Sequence, residues 1–321
     1  MAHLGPPIAI FAYRRPDHVR RLLASLASNP ESADSPTFIY CDGPRTIRDE
    51  EAVEATRQVI RTHAPAHAEI VEHHQNLGLS RSIIDGVSTL CDRFGRVIVL
   101  EDDLVLSPAV LGYFRAALEC YAHDDRVMHV SAYVFPVEKP LPETFFYRGT
   151  SCWGWATWAR AWRHFSTNGL WLRREIVRRR LVPCFEVEGA YPYLQMLDDQ
   201  IMGRNDSWAV RWHASVLLRD GLSLHPGRSL AANTGFDNSG EHCKQSDVFA
   251  THLAETAPAV RPIPVEEDSD ALAAIREYFR GTVLVRSGSE PSRGSRRRSL
   301  RRVLRRVLCR IKAECFGRWG P

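Results

Sequence analysis

Three consecutive acids, Glu101-Asp102-Asp103, follow the apolar run Val97-Ile98-Val99-Leu100. Like charges so placed repel one another, and a divalent cation offsets that repulsion. Hard ions such as Mn²⁺ or Mg²⁺ take carboxylate oxygens, and an ion held by one or two carboxylates completes its shell with substrate phosphates. The competing reading is a solvated loop or helix cap ahead of Pro108. Position at the tip of a buried strand favours the ion.

A second acidic pair is Asp198-Asp199. One carboxylate outside the metal-bound set could take the proton of an attacking hydroxyl; the pair could equally be helix surface charge. Asp42, after the apolar run Thr37–Cys41, could accept a hydrogen bond from a ring N–H such as that of uracil, or close an Asx-turn with Gly43. Arg14, Arg15 and Arg81 are candidates for a diphosphate, because the guanidinium fork matches phosphate oxygens. Asn76-Leu77-Gly78 reads as a turn in which Gly78 permits close approach to a ligand. Trp153, Trp155, Trp158 and Trp162 fall within ten residues. Indole faces pack on sugar C–H faces. The spacing of the last three predicts a helix and a core role, which leaves Trp153-Gly154 as the sugar contact.

Alternating strands and helices would position these groups. Ile8–Ala12, Thr37–Cys41, Ala68–Val71 and Arg96–Leu100 read as strands. Between and after them, helices are expected after Asp17 as cap, over Arg48–Thr62, over Leu79–Phe94 and over Val110–Tyr121. That order predicts an α/β fold with a mostly parallel central sheet flanked by helices, and ligands beyond the carboxyl ends of its strands. The second half is less regular, with helices expected around Leu172–Arg180 and Gly189–Arg204 and a loop over Asn233–Gly240.

The chain of 321 residues, 44% apolar and 25% charged, supports one large domain, here placed at 1–285, then a linker at 286–299 and a tail at 300–321. From Arg293 onward there are eleven basic residues and one acidic residue, which leaves 31 basic and 37 acidic residues before it, from totals of 42 and 38. The basic balance belongs to the tail and does not argue for a specific nucleic-acid partner. Eight cysteines form no CxxC pair and no zinc spacing, as in free thiols. The start of the chain has no signal-peptide pattern, and no stretch approaches a transmembrane span. The expectation is a cytoplasmic protein.

Residues 7–245 resemble the bacterial family-2-type GT-A glycosyltransferases related to the N-acetylglucosaminyltransferase I group. The residues that carry this are Ile8–Arg14, Asp42, Val99 through Pro108, Tyr147-Arg148 through Trp155, Asp198-Asp199 and Gly235-Phe236-Asp237, in that order. The resemblance implies a GT-A fold and a nucleotide-diphosphate sugar donor, UDP favoured. It further implies Asp103 on Mn²⁺ or Mg²⁺, Asp102 near the ribose or a metal-bound water, Asp42 on uracil, and Asp199 or else Asp198 as catalytic base. The donor site would draw on Ala12, Tyr13, Arg14, Asp42, Asn76, Arg81, Glu101, Asp102, Trp153 and Gly154. The expected reaction is inverting transfer of a hexosyl or N-acetylhexosaminyl group to a glycan or lipid-linked hydroxyl. A nucleotidyltransferase and an inactive nucleotide-sugar-binding adaptor are the alternatives. The turn Tyr13-Arg14-Arg15-Pro16-Asp17 has no Gly, which weighs against the first and against a dinucleotide-binding dehydrogenase.

In the tail, Leu300, Val303, Leu304, Val307, Leu308 and Ile311 form an apolar stripe at helical spacing, with arginines on the other faces. This pattern predicts a basic amphipathic helix on an anionic membrane surface, the inner face of the cell membrane.

Overall fold

Five consecutive buried residues, Ile8–Ala12, form strand β1 at the centre of the sheet. A strand with no polar position must be covered on both faces, and helices do this here. Parallel neighbours flank it: β2 (Thr37–Cys41) on one side and β4 (Arg96–Glu101) on the other, with β3 (Glu69–Glu72) beyond β2 at the edge. The computed structural model describes residues 5–236 and 247–287. Asp237, most of the linker and the whole basic tail lie outside the described residues.

Helices α1 (Pro16–Ala27), α2 (Glu50–His63) and α3 (Leu79–Phe94) make the crossovers. Helix α1 buries Val19, Leu22, Leu23 and Leu26, the face read from the sequence. Its cap position is Arg15 rather than Asp17: Pro16 takes the first helical turn, where its missing N–H costs nothing, and Asp17 follows inside the helix. Helix α3 has the expected bounds and stops at Gly95, whose φ of 75° only glycine adopts easily. Strand β3 lies one residue later than expected.

After the acidic triplet come β5 (Leu104–Leu106), α4 (Val110–Cys120), β6 (Val127–Ser131), β7 (Thr144–Tyr147) and β8 (Trp155–Trp158). Then follow α5 (Ala159–Trp162), α6 (Gly169–Arg178), α7 (Val182–Phe185), α8 (Tyr193–Ile201) and α9 (Trp208–Leu218). Strands β9 (Leu222–Pro226) and β10 (Ala231–Asn233) and helix α10 (Ser269–Ser287) complete the described chain. The main sheet has the order β3-β2-β1-β4-β8-β6-β9-β7, and β10 pairs antiparallel with β5 in a separate two-stranded unit. The α/β expectation holds: the central sheet is mostly parallel and helices flank it.

The tryptophan segment departs from its sequence reading. Trp155 and Trp158 lie on a strand, not a helix, and β8 inserts antiparallel between β4 and β6. Side chains alternate along a strand, so Trp155 packs with Trp162, Trp208 and Trp212 on one face while Ala156 and Trp158 join the opposite core. A spacing of three residues fits one helical face, and it also fits two faces of a strand. Burial, the other half of the expectation, is observed. Helix α9 has no counterpart in the sequence reading because it is buried almost all round, and periodicity needs a polar face to be visible. Helix α10 runs two residues into the stretch read as linker and packs Ala271, Ile275 and Phe279 into the second core.

Candidate active site

Strand register brings the separated groups together. Ala12 pairs with Cys41 and Phe11 with Glu101, so the ends of β1, β2 and β4 share one sheet edge. The backbone continues the alignment: the Asp42 N–H donates to the Ala12 carbonyl at 2.9 Å, and the Asp102 N–H to the Phe11 carbonyl at 3.0 Å.

Asp102 is 4% exposed and both its oxygens are engaged. The Tyr13 N–H donates to Oδ2 at 3.2 Å and Arg15 Nη2 to Oδ1 at 2.6 Å. The same Arg15 nitrogen lies 3.3 Å from Asp103 Oδ2, so one guanidinium spans both carboxylates. Burial works against charge on Arg15, but Asp102 and Asp103 hold its proton firmly. Glu101 and Asp102 are both pushed up, first by burial; Asp103 and Asp102 add to the effect at Glu101, and Arg15 offsets part of it at Asp102. The remaining oxygen is the informative one. Asp103 Oδ1 is buried and accepts no hydrogen bond among the described residues.

The β5–β10 pair wraps the triplet. Leu104 is opposite Asn233, and the Asp103 carbonyl accepts from Thr234 N–H at 2.8 Å and from Thr234 Oγ1 at 3.0 Å. A side chain at Gly235 would meet Asp103 Oδ2 at 2.7 Å, so only glycine lets this turn lie against the carboxylate. Thr234 and Asn233 escaped the sequence reading, although the loop containing them was marked by its glycines.

The other donor-site candidates divide. Asp42 is 5% exposed and takes three backbone hydrogen bonds: Gly43 N–H and Leu77 N–H at Oδ1 (2.9 and 2.8 Å), and Gly78 N–H at Oδ2 (2.9 Å). Asn76 Nδ2 donates to the Gly43 carbonyl at 2.9 Å. Together they clamp the 76–78 turn onto the end of β2. Arg14 faces Asp49 at 2.5 Å, in the short turn before α2, and the Tyr13 hydroxyl accepts from Arg45 N–H at 3.2 Å. Arg81 is exposed and lies 3.4 Å from Asp85, one turn along its own helix. Arg15, one of three arginines singled out, is the one at the acids.

Trp153 and Gly154 lie just before β8. Gly154 has φ of 74°, and a Cβ there would press on Ala231 and Ala132 at 3.2 and 3.3 Å. Trp153 is edge-on to Tyr133, Phe236 and Phe249, with ring centroids 4.5, 5.8 and 5.3 Å apart. Phe236 follows Gly235, so Trp153 borders the acidic edge on one side and an aromatic cleft on the other.

Asp198 is paired with Arg173 of α6. Asp199 is 1% exposed and accepts from Arg204 Nε at 2.6 Å and Gln195 Nε2 at 3.1 Å. Three residues before it, on the same face of α8, Met196 lines the aromatic cleft.

Deep histidines give the site's surroundings a pH dependence. Burial lowers His213 to about 4 and takes His129 well below its usual value. The unfolded chain binds these protons near pH 6.5 while the folded chain refuses them, so stability falls as pH drops from about 6.5 towards 4. A thermal melt series from pH 7.5 to 4.5 should show this fall, and His213→Phe should shallow it. A flat series would contradict burial of neutral rings.

No protein family matches the chain, and no curated protein matches it. Solved structures do. A mannosyltransferase from Pyrobaculum calidifontis, solved with GDP-Man and Mn²⁺, is 13% identical over 67% of this chain and 75% of its own, with a TM-score of 0.34. A mouse xyloside xylosyltransferase in apo form is 12% identical over 66% and 81%, with a TM-score of 0.35. A Leptospira borgpetersenii cytidylyltransferase is 9% identical over 51% of this chain, with a TM-score of 0.32; the chain spans 64% of that protein. No helix among the described residues is long and apolar enough to cross a membrane.

Proposed function

We propose that this chain is a metal-dependent glycosyltransferase that moves a hexosyl or N-acetylhexosaminyl group, with inversion, from a nucleotide-diphosphate donor to a saccharide hydroxyl. The observation that carries the reading is Asp103 Oδ1, a buried acceptor without a donor among the described residues, at the carboxyl end of a parallel strand. A buried carboxylate oxygen left this way costs free energy that a ligand recovers. Each oxygen of Asp102 already accepts one hydrogen bond, and no group of three His, Cys, Asp or Glu among the described residues could cage an ion. The residues therefore suit an ion held by Asp103 with donor phosphates as its other ligands, which is the habit of Mg²⁺ and Mn²⁺. Such an ion supplies charge stabilisation to the departing diphosphate.

The chain's own residues do the rest. Arg15 turns its guanidinium towards the same phosphates and neutralises charge as the sugar–phosphate bond breaks. The Asp42 clamp and Asn76 hold the 76–78 turn as a wall for the nucleoside. Trp153 bounds the sugar, and Gly154 lets the backbone lie against Ala132 and Ala231 closely enough to place it. Asp199 is the proposed proton acceptor, since it is the buried acid on the cleft-facing side of α8; Asp198 secures α8 to α6. Arg204 keeps the Asp199 carboxylate in place for the acceptor hydroxyl. Asp199→Asn should lower kcat by about 10²–10⁴-fold while leaving donor affinity unchanged. A fall in donor affinity instead would assign Asp199 to structure.

The reading is tested by adding UDP, GDP, CDP and the matching sugars, with and without Mn²⁺, to purified full-length chain. At least one nucleotide should raise the melting temperature only with the metal, and its sugar should be slowly hydrolysed. If no nucleotide stabilises the protein, the reading fails. The membrane role of the tail, and a cytoplasmic face for it, belong to the same proposal; removal of residues from Arg293 onward should abolish binding to anionic vesicles and spare hydrolysis.

A further inference from the structure

Beside the acidic edge lies an open cleft of about 620 Å³, counting its mouth. Trp153, Tyr191, Tyr193, Met196 and Phe249 form its walls, and His213 of α9 stands inside. His213 is 2% exposed. Its Nε2 lies 3.2 Å from the Phe185 carbonyl oxygen, so Nε2 carries the hydrogen and donates. The ring is stacked on Phe185 at 4.8 Å, which fixes its plane. Its other nitrogen, Nδ1, is buried with no hydrogen-bond partner among the described residues.

We infer that this cleft is a subsite for a neutral pyranose ring, which stacks a C–H face on the aromatic walls and donates one hydroxyl hydrogen to His213 Nδ1. Three observations select that chemistry. Among the described residues the lining includes no lysine, arginine or carboxylate, and a neutral histidine brings no charge, so an anion or cation finds no counter-charge there. A purely apolar chain would fill the walls but leave Nδ1 unsatisfied, at a cost of about 1–3 kcal/mol. An aromatic wall with His213 Nδ1 as acceptor and Thr150 and Ser151 in the lining suits a ring with C–H faces and hydroxyl edges. The cleft adjoins the acidic edge through Trp153, whose neighbour in space, Phe236, follows the glycine packed on Asp103. This inference rests on the proposed glycosyl transfer for its biological sense, because it places a saccharide next to the donor; binding itself can be tested alone.

Ligand-observed NMR on the full-length chain provides the test, with methyl glucoside, methyl galactoside and methyl mannoside as probes and hexanol and inorganic phosphate as controls. At least one pyranoside should bind, with its ring protons shifted upfield by the aromatic faces, and neither control should compete. His213→Phe keeps the stack and removes Nδ1, so affinity should fall about tenfold, the worth of one hydrogen bond. Tyr193→Ala, at a half-buried wall position, should weaken binding as well and serves if the histidine variant fails to fold. Binding of no pyranoside, hexanol binding equally well, or wild-type affinity in both variants overturns the inference; a site that holds water only gives the first of these results. Mn²⁺-dependent UDP, GDP and CDP binding is followed separately by ³¹P signals. Pyranoside binding without any nucleotide binding would sink the transferase reading and keep the cleft, and the reverse would sink the cleft alone.

Discussion

Replacing Asp103 by Asn should remove metal-dependent nucleotide binding and lower donor turnover by at least about a hundredfold. The argument is local. Asp103 Oδ1 is a buried acceptor at this edge left unmet among the described residues, while the oxygens of Asp102 serve Tyr13 N–H and Arg15. An amide carries no charge to hold a hard ion. It does keep the shape, and the contacts of the Asp103 carbonyl with Thr234 are untouched. Stability should therefore change little, or rise, because two adjacent acids repel less than three. The measurements are Mn²⁺ titration followed by electron paramagnetic resonance, and donor hydrolysis. Wild-type Mn²⁺ affinity in Asp103→Asn would remove the central support of the proposed function. Arg15→Gln offers the opposite sign for the metal: loss of a guanidinium that spans both acids should tighten metal binding several-fold even as turnover falls.

The second large effect is expected at Asp42. Its carboxylate collects three backbone N–H groups, two of them from the distant Leu77-Gly78 segment. Hydrogen bonds to a charged acceptor are worth about 1.5–3 kcal/mol each, although freed N–H groups recover part of that from water. Asp42→Ala should therefore destabilise the fold by roughly 3 kcal/mol and loosen the turn before α3. Gly43 admits no side chain to compensate, since a Cβ there would meet the backbone of His73 and Gln75 at 2.6–2.8 Å. Chemical denaturation checks the size of the effect. The same variant separates two roles for Asp42: a clamp lowers stability first and nucleotide affinity as a consequence, whereas a direct contact to a base lowers affinity with stability intact.

The first half of the chain was legible because its elements obey simple periods. Buried strands such as Ile8–Ala12 are apolar throughout, and α1 and α3 carry a polar face that marks their turns. Acids at the tips of such strands stand out for the same reason, and strand register then collects Asp42, Glu101, Asp102 and Asp103 without further information. The second half resists this reading. In α9 nearly every residue is buried, so the signal that marks a helix is absent. Trp155 and Trp158 satisfy a helical spacing while lying on opposite faces of a strand. What decided between them was pairing with β4 and β6, which are remote in sequence. His213 was invisible for a related reason: a lone histidine in an apolar stretch gains meaning only from what surrounds it in space. Arg14, Arg15 and Arg81 could not be ranked by type, since the difference lies in which guanidinium reaches the carboxylates.

The insertion of β8 between β4 and β6 also sets the order in which this protein can be completed. Strand β4 gains its partner on one side from β1 early in synthesis, but its other edge waits until Trp155–Trp158 have left the ribosome. During that interval Val97-Ile98-Val99-Leu100 offers an unpaired apolar edge, the kind of surface on which chains stick to one another. Fragments that end before Trp155 should aggregate, and a chaperone that holds this strand edge would act on the nascent chain at that stage.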